Sequence, residues 1–201
     1  MKKYILHLSG LFSEEGFSDG EELDLRDVEG TNCYCGSDSA KELRVRLKDV
    51  PADAVHWIDT GDYHYLTLLF LEKIKEPFSL ILIDNHPDDQ PSAFDEPGLL
   101  SCGSWVRDAR KLDFFTASQS APVYLSIDLD YLSPDEFRTD WNQGTASVDM
   151  MLEDIRKAVS GRRIIGIDIC GGITLSKGAK DSDLLMNRRL RERISGFIDG
   201  L

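Results

Sequence analysis

The chain has 201 residues, the size of one domain with a hydrophobic core of its own, and we expect a single domain over 1–201. It carries 36 Asp and Glu against 23 Lys and Arg, a formal charge of −13 at pH 7. This acid excess argues against nucleic-acid or anionic membrane partners, because both are bound mainly through Lys and Arg. The 41% of hydrophobic and 29% of charged residues are typical of a soluble globular protein.

Five short apolar runs predict the strands of the fold. They lie at 4–9, 54–59, 79–84, 123–128 and 162–169. Their hydrophobicity is continuous rather than alternating, which indicates strands that are buried on both faces, as in a parallel sheet covered by helices.

Helical segments alternate with these strands. We predict a helix from Asp62 as N-cap to a stop at Pro77, a second from Ser147 to Gly161, a third from Asp181 to the end, and a short one that begins near Ser104. The polar segments 13–38, 86–103 and 131–146 are predicted loops. The alternation predicts a three-layer α/β/α fold with a mainly parallel sheet.

The four cysteines, Cys33, Cys35, Cys102 and Cys170, are few and lack the spacing of a disulfide framework. Reduced thiols in a cytoplasmic protein are therefore expected. The first two form a C-x-C pair with no second pair nearby, so we expect no zinc site there. No apolar run reaches ~18 residues and no cleavage site follows the start, so neither a transmembrane helix nor a signal peptide is expected.

Three predicted strands end in segments rich in Asp and His. In such folds ligands bind at the carboxyl ends of the strands. Residues two apart in extended chain point to the same side, so the acids of each segment are expected to converge. Crowded aspartates repel one another unless a cation compensates them. The segments WIDTGDYHYL, SLILIDNHPDD and VYLSIDLDYLSP thus predict a metal centre made of His64, Asp84, His86, Asp88, Asp128 and Asp130.

The composition of this ligand set favours manganese, with iron, zinc or magnesium as alternatives, because it combines carboxylates with two imidazoles and has no thiolate. Six ligands exceed the needs of one ion, so we expect two ions and a hydrolytic reaction. A single Asp at a strand end is usually structural. Asp59 is therefore assigned to support of the centre, and Asp62 to a helix cap.

The three segments resemble the motifs of the arginase–agmatinase–formiminoglutamase superfamily, the ureohydrolases, whose fold is shared with histone-deacetylase-like enzymes. The matching stretches are GDYH at 61–64, DNHPD at 84–88 and SIDLDYLSP at 126–134. The resemblance implies an arginase/deacetylase-like fold and a small-molecule substrate with an amidine, guanidine or amide group, and it is compatible with a homo-oligomer. It assigns one manganese to His64, Asp84, Asp88 and Asp128, and the other to His86 and Asp130 with Asp84 and Asp128 as bridges.

Three positions depart from the family pattern. Cys102 stands where agmatinase-like members have a histidine, Gly171 where they have a glutamate for the guanidinium, and Ser133 where they have a third aspartate. Cys102 is either a small buried residue at a turn or a proton donor or nucleophile, and together with Asp130 it is a candidate catalytic residue. The loop with Cys33 and Cys35 can cover the site.

Three functions are consistent with this sequence. The first is a dimanganese hydrolase of a non-peptide C–N bond in a small molecule. A deacetylase-like amide hydrolase is the alternative among enzymes. A metal-binding or regulatory protein without catalysis is the third, and the departures at 102, 133 and 171 favour it.

Overall fold

A computed structural model of the chain describes residues 1–92, 94, 96 and 98–201. The described residues form eight strands: β1 (Lys3–His7), β2 (Glu21–Asp24), β3 (Tyr34–Cys35), β4 (Val55–Ile58), β5 (Ser79–Ile83), β6 (Leu100–Ser101), β7 (Val123–Asp128) and β8 (Ile164–Cys170). Six of them build one sheet in the order β2-β1-β4-β8-β7-β5. Every neighbouring pair in it is parallel, whereas β3 and β6 form a separate antiparallel pair.

Helices cover both faces of the sheet. The α-helices are α1 (Leu11–Glu15), α2 (Ser37–Arg46), α3 (Leu66–Leu71), α4 (Trp105–Ala109), α5 (Val148–Val159) and α6 (Asp181–Ile198). Side chains of α2, α3 and α4 belong to one hydrophobic cluster, and those of α1, α5 and α6 to another. None of the helices in the described ranges has the length and apolar character that a bilayer crossing requires.

The strands supply both clusters in alternation. In β1, Tyr4 and Leu6 pack in the first cluster and Ile5 in the second. This two-sided burial explains the continuous apolar runs of the sequence. The predicted three-layer α/β/α fold with a mainly parallel sheet is confirmed.

Several predicted boundaries are also confirmed. Ser147 caps α5 by accepting a hydrogen bond from the backbone N–H of Met150, and Gly161 after this helix has a left-handed φ of 69°. The tail is helical from Asp181, and a short helix begins at Trp105, directly after Ser104.

The prediction of one long helix from Asp62 is wrong. The chain first makes a 3₁₀ turn over Gly61–Tyr63, with Thr60 at its N-terminal boundary, and α3 follows only at Leu66. All six residues of α3 are buried, so its amphipathic pattern is weaker than that of a surface helix.

Two of the predicted loops contain regular structure. The segment 13–38 includes the end of α1, the strands β2 and β3 and the start of α2. The segment 86–103 contains β6, and its residues 93, 95 and 97 lie outside the described residues.

Candidate metal centre

His64 lies directly after the 3₁₀ turn that follows β4, with a side chain that is 1% exposed. Ser126 of β7 donates a hydrogen bond to Asp168 Oδ1 of β8 over 2.6 Å, and its oxygen lies 2.9 Å from His64 Nε2. Because the Ser126 proton is directed to Asp168, this oxygen accepts the Nε2–H of His64. This chain of hydrogen bonds from His64 through Ser126 to Asp168, here called the relay, fixes the imidazole and leaves Nδ1 of His64 free to bind a cation.

Nδ1 of His64 faces three carboxylates. It lies 3.0 Å from Asp88 Oδ2, 3.4 Å from Asp84 Oδ2 and 3.6 Å from Asp128 Oδ2. Within the described part of the chain, the buried atoms His64 Nδ1 and Asp84 Oδ2 have no hydrogen-bond partner. Unpaired buried polar atoms are costly, and a cation among them would satisfy both.

A second group of potential ligands adjoins the first. His86 Nδ1 lies 2.7 Å from Asp130 Oδ2 and 3.7 Å from Asp84 Oδ1. The ligand atoms of Asp84, His86 and Asp130 all lie within 4.8 Å of one another, as do those of His64, Asp84 and Asp88. Asp84 belongs to both groups, so the arrangement fits two neighbouring ions that share this carboxylate.

Turns, rather than extended chain, bring these side chains together. Strand β5 ends at Ile83, and Asp84 then accepts a hydrogen bond from the backbone N–H of His86 over 2.5 Å. Asp88 has a positive φ of 45°. Asp128 ends β7 and accepts from the N–H of Asp130, which lies in the next 3₁₀ turn. The extended chain therefore does not continue beyond the strand ends, and these turns make the side chains converge instead.

Burial and mutual repulsion raise the pKa values of the aspartates in this cluster. Burial raises the pKa of Asp128 to about 6, with the charge of Asp84 adding to it and His64 opposing it. Burial, with the charges of Asp128 and Asp84, raises the pKa of Asp130 to about 9. Burial alone would lower the pKa of His64, but its contacts with Cys170 and the surrounding carboxylates raise it well above its ordinary value. Protons and cations therefore compete for the same atoms.

Asp59 and Asp62 lie beside the centre without belonging to a ligand group in the described residues. Asp59 Oδ2 accepts from the backbone N–H groups of Leu8 and Ser9, so it ties the end of β1 to the end of β4. The predicted role of Asp62 as a helix cap is wrong. Its carboxylate accepts from Asn32 Nδ2 over 2.7 Å and from Trp141 Nε1 over 3.0 Å, and so joins two loops at the mouth of the site.

A cavity of about 230 Å³ opens above the two ligand groups. Tyr34 and Trp141 form aromatic walls, and Cys102, 8% exposed, also lines it. Burial, with the charges of Asp88 and Asp62, raises the pKa of the Cys102 thiol to about 11. The loop with Cys33 and Cys35 carries Tyr34 and pairs with β6, so it forms one side of the mouth. All four cysteines are free.

Gly171 borders the centre directly beside the side chain of Asp128. Its φ is 106°, and a Cβ on it would lie 2.8 Å from Asp128 Oδ1. The position cannot take a glutamate side chain without displacing Asp128.

Sequence reasoning missed two residues of the site. Trp141 lies in a predicted loop and lines the cavity. Cys170 Sγ lies 3.1 Å from Asp128 Oδ2 and forms a third group of potential ligands with His64 and Asp128. Its two-residue spacing from Asp168 signals a shared face of β8, but only the register of β8 beside β7 places it at Asp128.

The chain shares its fold with several proteins of known structure. Its structure is similar to a hypothetical agmatinase from Burkholderia thailandensis, with a TM-score of 0.65 and 16% identity, covering 98% of this chain and 85% of that one. Formimidoylglutamase from Bacillus subtilis (TM-score 0.62, 13% identity) is covered to the same extents. Entamoeba histolytica arginase has a TM-score of 0.62 and 11% identity, over 92% of this chain and 97% of its own. The chain has an arginase/ureohydrolase-like fold.

No model of a known protein family matches the sequence. An uncharacterized protein of Thermotoga maritima is 30% identical, over an alignment that covers 84% of this chain and 78% of that protein. The chain belongs to the same family as this Thermotoga protein.

Proposed function

We propose that the protein is a metal-dependent hydrolase that cleaves a non-peptide C–N bond in a small molecule. The observation that carries the proposal is the pair of unsatisfied buried atoms, His64 Nδ1 and Asp84 Oδ2, where two ligand groups of the described residues meet. A purely structural cluster of this kind would leave both atoms uncompensated. The fold that the chain shares with agmatinase, formimidoylglutamase and arginase supports a hydrolytic use of the ions.

In this proposal six residues hold two divalent ions, with manganese suited to the oxygen-rich group of Asp84, His86 and Asp130. The ions would supply an activated water and polarise the bond to be cleaved. The full ligand set is the one that the sequence motifs predict: His64, Asp84, His86, Asp88, Asp128 and Asp130.

Other residues of the chain would bind the substrate and move protons. Tyr34 and Trp141 would hold a small substrate between aromatic walls and limit the access of water. Cys102 would act as a proton donor for the leaving amine rather than as a nucleophile, because burial raises the pKa of its thiol to about 11 and so disfavours the thiolate. Gly171 offers no carboxylate to a guanidinium, which favours an amidine or an amide as the substrate.

The test combines metal analysis with a substrate panel. Protein dialysed against Mn²⁺ and Zn²⁺ should retain two divalent ions per chain by mass spectrometry, and should hydrolyse at least one of a set of formimino, amidino, guanidino and acylated amines. Asp128→Asn should lose both the ions and turnover, whereas Asp113→Asn, an exposed acid outside the cavity, should keep both. Protein that retains no ion and gains no melting temperature from either metal would contradict the proposal.

A second candidate is a metal-binding or regulatory protein without catalysis. Gly171, Cys102 and Ser133 favour it, since each departs from the residue type that the family has at its position. Tight binding of two ions without turnover on any member of the panel would support this candidate.

A further inference from the structure

Cys170 ends β8 directly beside the metal centre. In the register of the sheet it is paired with Asp128 of β7, and two residues earlier Asp168 is paired with Ser126. Both pairs face the layer that contains α3, because the intervening Ile127 and Ile169 pack in the opposite cluster. The sheet thus places the Cys170 thiol on the same face as Ser126 and Asp168, the two residues that orient His64.

The thiol is directed at the atoms that form the His64 side of the centre. Cys170 is fully buried, and its sulfur lies 3.1 Å from Asp128 Oδ2. The same oxygen lies 3.6 Å from His64 Nδ1. The ligand atoms of His64, Asp128 and Cys170 all lie within 4.8 Å of one another.

An independent observation indicates that a ligand belongs among these atoms. The side chain of His64 is only 1% exposed, yet its Nδ1 has no hydrogen-bond partner among the residues that the structure covers. An ion held by His64 Nδ1 and Asp128 Oδ2 would have the sulfur of Cys170 as an adjacent donor. Binding would release the thiol proton to solvent and form a metal–sulfur bond with the thiolate lone pair.

We infer that Cys170 is a thiolate ligand of the ion on the His64 side, and that this side therefore prefers zinc to manganese. The inference rests on the proposed metal centre and refines it. A mixed set of imidazole, thiolate and carboxylate suits a borderline-soft ion, whereas manganese prefers oxygen donors. The neighbouring group of Asp84, His86 and Asp130 has no sulfur, so the two sides of the centre differ in metal preference.

Cobalt(II) tests the inference directly, because a thiolate bound to it gives an intense near-ultraviolet charge-transfer band. Metal-free full-length protein would be titrated with Co²⁺ alone, with bound cobalt measured by equilibrium dialysis. The wild type should develop the band as cobalt binds. Cys170→Ser should bind cobalt without the band.

Cys102→Ser is the matched control, because Cys102 lines the same cavity but belongs to no ligand group in the described chain. It should retain the band. In competition between Zn²⁺ and Mn²⁺, Cys170→Ser should shift the ratio of bound zinc to bound manganese by at least about tenfold, since even outer partners of metal ligands change affinity ~10–100-fold.

X-ray absorption of the zinc-loaded wild type keeps the inference testable if Cys170→Ser does not fold. A sulfur neighbour at ~2.3 Å from zinc is expected. Cobalt bound without the band, or zinc bound without sulfur, overturns the role of Cys170 and leaves the metal centre intact. Failure of cobalt, zinc and manganese to bind at all overturns the proposed function itself.

Discussion

Gly171 is the residue at which the end of β8 comes closest to Asp128. Its backbone combines a positive φ of 106° with a space that is too small for a Cβ, because Asp128 Oδ1 would lie 2.8 Å away. Two separate costs, strain and steric overlap, therefore oppose any side chain here.

We predict that Gly171→Ala lowers the free energy of unfolding by about 2–4 kcal/mol and weakens metal binding by displacing Asp128. Gly161→Ala is the matched control, since Gly161 has a φ of 69° but no described atom within 4 Å of the point where a Cβ would lie. It should cost about 1 kcal/mol through strain alone and leave metal affinity unchanged. Urea unfolding measures the loss of stability, and metal titration measures the change in affinity. Equal losses in Gly171→Ala and Gly161→Ala would refute the contact with Asp128.

Ser126 orients the imidazole of His64 and belongs to no group of potential metal ligands in the described residues. We expect Ser126→Ala to weaken Mn²⁺ and Zn²⁺ binding by ~10–100-fold, because His64 Nε2 and Asp168 Oδ1 then lose their shared partner. Ser79→Ala, on β5 and outside the ligand groups of the described residues, should leave affinity within about twofold. Calorimetric titration distinguishes the two variants, and unchanged affinity in Ser126→Ala would reject the relay.

The six expected ligands could be selected from the sequence because each lies at the end of an apolar strand or within six residues after it. The sequence did not predict the turns that assemble them. Cys170 was not predicted as a potential ligand, because its position beside Asp128 depends on the pairing of β7 with β8, two strands that are separated by a helix.

His56 joins β4 to α3. Its ring stacks on Phe70 with 3.7 Å between centroids and 9° between planes. Nε2 lies 2.8 Å from the Pro51 carbonyl oxygen, and the hydroxyl of Tyr124 lies 3.2 Å from Nδ1. A neutral ring fits both contacts, with Nε2–H as donor and Nδ1 as acceptor. Burial, against the contact with Pro51, lowers the pKa of His56 to about 3.

The lowered pKa of His56 predicts that the folded protein loses stability in acid. Below pH ~6.5 the unfolded chain binds a proton on His56 that the folded chain refuses until about pH 3, so stability falls as the pH is lowered through this window. The His56 share is up to ~1.4 kcal/mol per pH unit. We expect His56→Gln to be less stable at pH 7 but to lose less further stability between pH 6.5 and 5. Urea unfolding at both pH values tests this, and equal pH slopes would contradict it.

Among the elements that the sequence prediction lacked, β2 and α2 were missed because their side chains contribute little to the hydrophobic core. Strand β2, with the sequence EELD, is largely exposed at the edge of the sheet and forms by pairing with β1. Helix α2 buries only Ala40 and Leu43, so its apolar periodicity is weak. The interior strands, by contrast, are specified by the continuous apolar runs that burial on both faces requires.

A buried ion pair links the first and last helices to the sheet. Arg191 of α6 donates from Nε to Glu15 of α1 over 2.5 Å, and from Nη2 to the carbonyl oxygen of Gly171 over the same distance. Its guanidinium also lies 5.1 Å from the ring centroid of Phe12. Burial raises the pKa of Glu15, and the charge of Arg191 opposes that rise.

We predict that Arg191→Met lowers the free energy of unfolding by about 3–5 kcal/mol, because it leaves Glu15 buried without a counter-charge. The double variant Glu15→Leu/Arg191→Met should recover most of this loss, since both charges are then removed together. Urea unfolding of both variants measures the difference. A double variant no more stable than Arg191→Met would show that the pair matters through its contact with Gly171 instead.

The order of the six strands could not be read from the sequence, because strands that are consecutive in the chain are not always neighbours. β5 follows β4 but lies at the far edge of the sheet, with β8 and β7 between them. The position of β8 beside both β4 and β7 depends on packing between segments that are far apart in the sequence, which local patterns do not encode.

The wholly parallel sheet also bears on the order of events in folding. None of its strand pairs can form as a local hairpin, since each parallel neighbour requires a crossover through other elements. Such non-local pairing makes folding slow relative to helical proteins of similar size. The chain must bring β4, β5 and β7 into one sheet before the cluster of carboxylates exists. A cation would therefore bind late in folding and stabilise a nearly complete fold, rather than nucleate it.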